Sequence, residues 1–114
     1  MSISEFEIFK VEKAAKDFCK KRNAHYPPDQ LCIDFLLEDQ SLFLLEIRPK
    51  WNEPEVKTEV AFAKLSYVKK NQLWKLYWMR QNMKWSPIDE NGTNKNLEPL
   101  LEIVSEDTYG FFWG

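Results

Sequence analysis

The apolar positions of this chain change period twice along its length. Ile8, Val11, Ala15 and Phe18 recur at helical spacing, and Ser4-Glu-Phe-Glu7 has the form of a capping box, so residues 5–22 are predicted helical. Lys20, Lys21 and Arg22 suit the negative end of that helix dipole, and Tyr26-Pro27-Pro28 stops it. From Leu31 the period falls to two. Leu31, Ile33, Phe35 and Leu37 alternate with Cys32, Asp34, Leu36 and Glu38, and Glu38-Asp-Gln-Ser41 supplies a turn. Phe43, Leu45 and Ile47 then alternate with Leu42, Leu44, Glu46 and Arg48 until Pro49 and Pro54 end the strand. A third strand is predicted near Val60–Lys69 and a fourth, after Asn71-Gln72, over Leu73–Arg80, with a short fifth at Met83–Ser86. Loop 87–95, with Pro87, Asn91, Gly92 and Asn94, is the segment expected to move most. Helical spacing returns with Leu97, Leu100, Leu101 and Val104, Asn96 standing as N-cap and Pro99 in the first turn, and runs to Ser105. The order predicts one α+β domain over residues 1–114: an N-terminal helix, a four- to five-stranded antiparallel sheet and a C-terminal helix packed on one face.

Strand parity sorts side chains into two faces. With Ile33/Phe35, Leu45/Ile47 and Leu65/Tyr67 toward the helices, the other face presents Asp34, Glu46, Arg48 and Lys64, and a one-residue slip would reverse the grouping. In the fourth strand Trp74, Leu76 and Trp78 read as the core side and Lys75 and Tyr77 as the outer side, which leaves Arg80 on core parity. Trp51 and Trp85, beside Lys50 and Lys84 near strand ends, read as rim or surface.

Composition sharpens this picture at one place. Four of the five Trp residues lie within Glu46–Trp51 and Trp74–Trp85, interleaved with Arg and Lys. A net charge of −2 hides a segregation: residues 1–40 carry 6 Lys/Arg against 8 Asp/Glu, residues 41–86 carry 9 against 4, and residues 87–114 carry 1 against 6. A basic middle would steer an anionic partner, unless the acidic ends fold back and neutralise it. No stretch approaches the ~18 apolar residues of a membrane span. The acidic start Met1–Glu7 lacks a secretory pattern, so cytosolic residence is expected, with Cys19 and Cys32 as buried thiols rather than a disulfide. The Asn91-Gly-Thr93 sequon then carries no meaning.

Several chemistries fall away. Glycine occurs only at 92, 110 and 114, which rules out a phosphate-cradling glycine loop. His25, Cys19 and Cys32 show no metal-ligand spacing, so neither a metal nor a cofactor is expected, and a Cys–His or Ser–His–Asp site would depend on that single His. One enzymatic arrangement survives. Asp34, Glu46-Ile-Arg48 and Lys64 on one predicted face resemble the two carboxylates and a cation of metal-dependent nucleases, where Mg²⁺ stabilises displaced phosphate oxygens. Arg48 stands where Lys is usual and cannot readily act as a base. Cross-strand salt bridges such as Glu46 with Lys64 account for the same residues.

The same region supports a binding reading, and this is the one favoured. Arg48, Lys50, Lys64, Lys75 and Lys84 would contact phosphates while Trp51, Tyr77 and Trp85 stack on bases, making a non-catalytic module for nucleic acid or a nucleotide-like anion. No ribonucleoprotein signature is present, and the total charge is not basic. A third class is a protein-interaction module anchored by Tyr109-Gly-Phe-Phe-Trp-Gly114, whose consecutive aromatics either dock a partner or pack back as core.

One set of motifs covers nearly the whole chain: Phe43-x-x-Glu-Ile-Arg-Pro-x-Trp51, Ala63-Lys64, Tyr67-Val-Lys69, Trp74-Lys-x-Tyr-Trp-Met-Arg80, Lys84-Trp85 and the ending Asp107-x-Tyr-Gly-x-Phe-Trp-Gly114. In this order they resemble a small bacterial domain-of-unknown-function family, number 3024. The resemblance implies a bacterial single-domain protein and brings no activity, ligand or catalytic residues with it. Members often carry His after the Lys-Trp pair and Cys near the final aromatics. Ser86 and Phe111 occupy those positions here, which weakens any His- or Cys-based chemistry further.

Overall fold

The computed structural model describes residues 5–27, 29–88 and 92–107. Helix α1 (Glu5–Asn23) leads into β1 (Cys32–Glu38), β2 (Ser41–Lys50), β3 (Glu53–Val68), β4 (Leu73–Met79), β5 (Trp85–Pro87) and β6 (Thr93–Asn94), and α2 (Leu97–Glu106) closes the order. The strands form one antiparallel sheet in the order β1-β2-β3-β4-β5, with β6 also paired to β4. Both helices pack on one face, as the sequence predicts. Val11, Ala15, Phe18 and Cys19 of α1 join Leu97, Leu100, Leu101 and Val104 of α2 over Ile33, Leu42, Leu44, Ala63, Leu65, Trp74 and Leu76. Asn96 holds the N-cap backbone position of α2, but its side chain makes no capping bond.

The face assignment of β2 differs from expectation. Leu42 and Leu44, not Leu45 and Ile47, are fully buried beneath the helices. Register explains it: Leu37 pairs with Leu42 and Phe35 with Leu44, while Asp34 pairs with Leu45 and Leu36 with Phe43. Leu42-Phe43-Leu44-Leu45 is apolar on both parities, so hydrophobic alternation cannot say which side goes in.

The third strand is far longer than predicted, and so is the hairpin it closes. Pairing steps from Leu44–Ala63 to Leu45–Ala61, which leaves Phe62 as a bulged, buried residue and re-phases β3. Beyond the bulge, β2 and β3 run on as a two-stranded arm in which every residue from 51 to 60 is exposed. Pro49 lies within β2 instead of ending it, because β1 stops opposite Ile47 and leaves that side of β2 open. Pro54 sits where the register jumps from Pro49–Lys57 to Lys50–Glu53 and has no ladder position to fill.

Two local devices finish the edges. Asn23 at the end of α1 donates from Nδ2 to the Ile33 carbonyl (2.9 Å) and accepts the Ile33 N–H at Oδ1 (2.7 Å), satisfying the outer edge of β1 as another strand would. On β4, the Leu76 carbonyl accepts from Ile88 N–H, and Leu76 N–H donates to Gly92 O. A Cβ on Gly92 would stand 1.9 Å from the Ile88 carbonyl oxygen, so only glycine permits this close return. The segment expected to be a mobile loop thus contributes both Pro87 and the unforeseen β6 to the sheet, within its described residues.

Candidate functional site

The face of the sheet away from the helices is where the aromatic and basic residues gather. Leu36, Phe43, Lys64 and Tyr77 occupy successive positions across β1 to β4, Tyr77 facing Pro87 of β5. Ser41, Ser66 and Lys75 form the adjoining row, the two hydroxyls bonded at 2.8 Å. Within this lattice the Lys64 ammonium lies 5.2 Å from the Tyr77 ring centroid and 6.0 Å from that of Phe43. Lys75 approaches the Tyr77 ring at 5.7 Å, and the Trp85 ring meets Phe43 at 6.0 Å, tilted by 48°. Aromatic quadrupoles hold the ammonium groups without neutralising them. Neither lysine is paired with a carboxylate among the described residues.

The eight residues singled out in sequence therefore divide into two groups. Lys64, Lys75, Tyr77 and Trp85 come together on the open face, half-buried, and Lys84 stands exposed at its rim in the β4–β5 turn, where its carbonyl accepts from Arg80 N–H. Arg48, Lys50 and Trp51 instead lie on the arm. Trp51, 91% exposed, is at its tip, and Arg48 is bonded through Nε to Glu46 Oε1 at 2.9 Å. Phe43 is the site residue that sequence reasoning missed, having assigned it to the core side of β2. Trp74 and Trp78 follow their predicted parity, Trp74 buried and Trp78 packed against the core, and Trp113 lies outside the described residues.

The carboxylates of the nuclease-like arrangement do not meet. Asp34 pairs with Leu45 and faces the open side, where its Oδ1 accepts the Phe35 N–H, whereas Glu46 pairs with Ile33 on the helix side. Adjacent strands bring same-parity residues together only in the correct register, and the β2 slip separates these two. No cluster of metal-ligating side chains occurs among the described residues.

The sequence profile of the domain-of-unknown-function family DUF3024 matches residues 3–114. The chain belongs to this family. Comparison with curated proteins found no match, and neither did comparison with solved structures. No helix among the described residues is long and apolar enough to cross a membrane. The motifs that carry the resemblance fall into both groups above: the Glu46-Ile-Arg-Pro-x-Trp51 motif builds one strand and the tip of the arm, while Ala63-Lys64, the Trp74–Arg80 motif and Lys84-Trp85 build the open face and its backing.

A concave site lies apart from this face. A cleft of about 470 Å³ between α1 and α2 sets Asp17, Glu98 and Glu102 against Lys21, Arg22 and His25, a mixed-charge lining without directional preference for an anion. The aromatic C-terminus proposed as an anchor lies outside the described residues. Both thiols are free, Cys19 buried and Cys32 half-buried. Burial, with smaller contributions from Asp34 and Cys32, pushes the Cys19 thiol up to about 12. The sign is clear. Unfolded Cys19 loses its proton near 9 while the folded form keeps it, so this group's stabilisation is complete below pH 9 and is lost as pH rises toward 12. A thiol-specific reagent at pH 8 is accordingly expected to modify Cys32 first and Cys19 only on denaturation, as read by mass spectrometry.

Proposed function

We propose that this chain is a cytosolic, non-catalytic binding domain that takes single-stranded nucleic acid, or a nucleotide-like anion, on the open face of its sheet. The observation that carries this reading is the placement of Lys64 and Lys75 among the rings of Phe43 and Tyr77, beside Trp85, on a face that neither described helix covers. Flat rings offer every base a stacking surface, and the ammonium groups between them, with no carboxylate partner among the described residues, sit where a backbone phosphate would pass. The basic balance of residues 41–86 attracts such a ligand, and the acidic flanks limit the pull on other polyanions. With Asp34 and Glu46 on opposite faces, these two carboxylates do not form the paired metal cradle that the cleavage reading needs.

Salt dependence tests the assignment. Fluorescence anisotropy with a labelled single-stranded oligonucleotide should show affinity falling as salt rises, in proportion to the phosphates neutralised. Replacing Lys64 with Ala should weaken binding several-fold and reduce the log–log salt slope by about 0.7, the value for one phosphate contact on a single strand. A slope unchanged in Lys64→Ala would remove that lysine from the interface.

A further inference from the structure

The arm built by β2 and β3 carries no core of its own. Residues 51–60 are all exposed, β1 ends opposite Ile47, and β4 pairs with β3 only from Ala63 onward. Among the described residues both edges of the arm are thus without a neighbouring strand. A two-stranded ribbon is marginal in water, and an unpaired edge is a template for another strand. We propose that the β3 edge of the arm, residues 55–61, pairs with the same edge of a second copy of this chain, antiparallel, about a two-fold axis passing through Thr58.

The edge sequence specifies both occupant and register. A two-fold axis perpendicular to the joined sheet keeps the same face of each copy on the same side, so opposed residues share parity. With Thr58 on the axis, Lys57 stands opposite the second copy's Glu59, and Glu59 opposite the second copy's Lys57. Val56 and Val60, exposed at 42% and 52%, meet in two further pairs on the other face, and Thr58 meets its own copy. Lys57 and Glu59 are both answered, Glu55 falls opposite the uncharged Ala61, and each exposed valine is covered. The neighbouring registers fail this match. An axis through Lys57 sets Lys57 against itself and Glu55 against Glu59, and an axis through Glu59 sets that carboxylate against itself. Like charges directly opposite oppose pairing, so one symmetric register is favoured over both neighbours. Pro54, without a ladder position, bounds the pairing segment at its outer end.

Sedimentation equilibrium of the full chain, at concentrations up to about 0.1 mM, should show a monomer–dimer equilibrium. Lys57→Glu and Glu59→Lys each put like charges across both symmetry-related pairs and should weaken the dimer roughly ten-fold or more. Mixing the two variants in equal amounts should restore dimerisation, because every charged pair then joins an acidic to a basic side chain. Both substitutions are at exposed positions, and circular dichroism of each variant checks that it stays folded. A monomeric wild type over that range overturns the proposal. So does a dimer indifferent to both substitutions, or a mixture that remains monomeric.

Discussion

Leu65→Ala is expected to destabilise the domain by about 3 kcal/mol, with a fall in Tm of roughly 10 °C or more. Leu65 is fully buried in β3, the middle strand of the sheet, paired on one side with Leu42 and on the other with Leu76, both also fully buried. Leu100 and Val104 of α2 are equally inaccessible and belong to the same core cluster. Truncation there removes apolar contact on every side, and the flanking strands cannot close the gap without breaking their register. Val60→Ala, on the same strand but in the exposed arm, should cost under about 0.5 kcal/mol in monomer stability. Chemical denaturation of both variants separates the two positions. A similar loss for each would mean that the arm, not the body of the sheet, holds the fold.

Removing two rings from the open face should cost the most in binding. Tyr77→Ala and Trp85→Ala are each expected to weaken single-stranded oligonucleotide binding about ten-fold, and together about a hundred-fold, since stacking contributes roughly 1–3 kcal/mol per base. Tyr77 also anchors both ammonium groups, so its loss should scatter Lys64 and Lys75 as well as remove a stacking surface. Tyr77→Phe keeps the ring and should bind like the wild type, which separates stacking from any role of the hydroxyl. Both rings are half-buried, so thermal melts of the same variants must show a folded domain before the affinities are compared. Equal binding by Tyr77→Ala and wild type would place the ligand elsewhere.

Much of this architecture is legible in the sequence where one face is apolar and the other is not. The α1 stripe of Val11, Ala15 and Phe18 and the β4 alternation of Trp74, Leu76 and Trp78 against Lys75 and Tyr77 both translate directly into structure. Legibility fails where that contrast disappears. Leu42–Leu45 is apolar on both sides, which hid Phe43 from the open face and made Asp34 and Glu46 look like neighbours. The arm has the opposite problem. Glu53–Glu59 carries charges and a proline but no buried stripe, so a strand held by backbone pairing and the Thr58 hydroxyl's bond to the Arg48 carbonyl leaves no hydrophobic period to read. The bulge at Phe62 and the approach of Gly92 to Ile88 are set by tertiary packing, beyond the reach of local pattern.

The most direct test of the binding face is a nuclear magnetic resonance titration of the isotope-labelled chain with a single-stranded oligonucleotide. Binding on this face should shift the Trp85 indole and the amides of Lys64, Lys75 and Tyr77, with the buried Trp74 indole and Leu100 unmoved. Shifts confined to the cleft between α1 and α2, around Asp17, Arg22 and Glu98, or no shifts at any concentration, would contradict it.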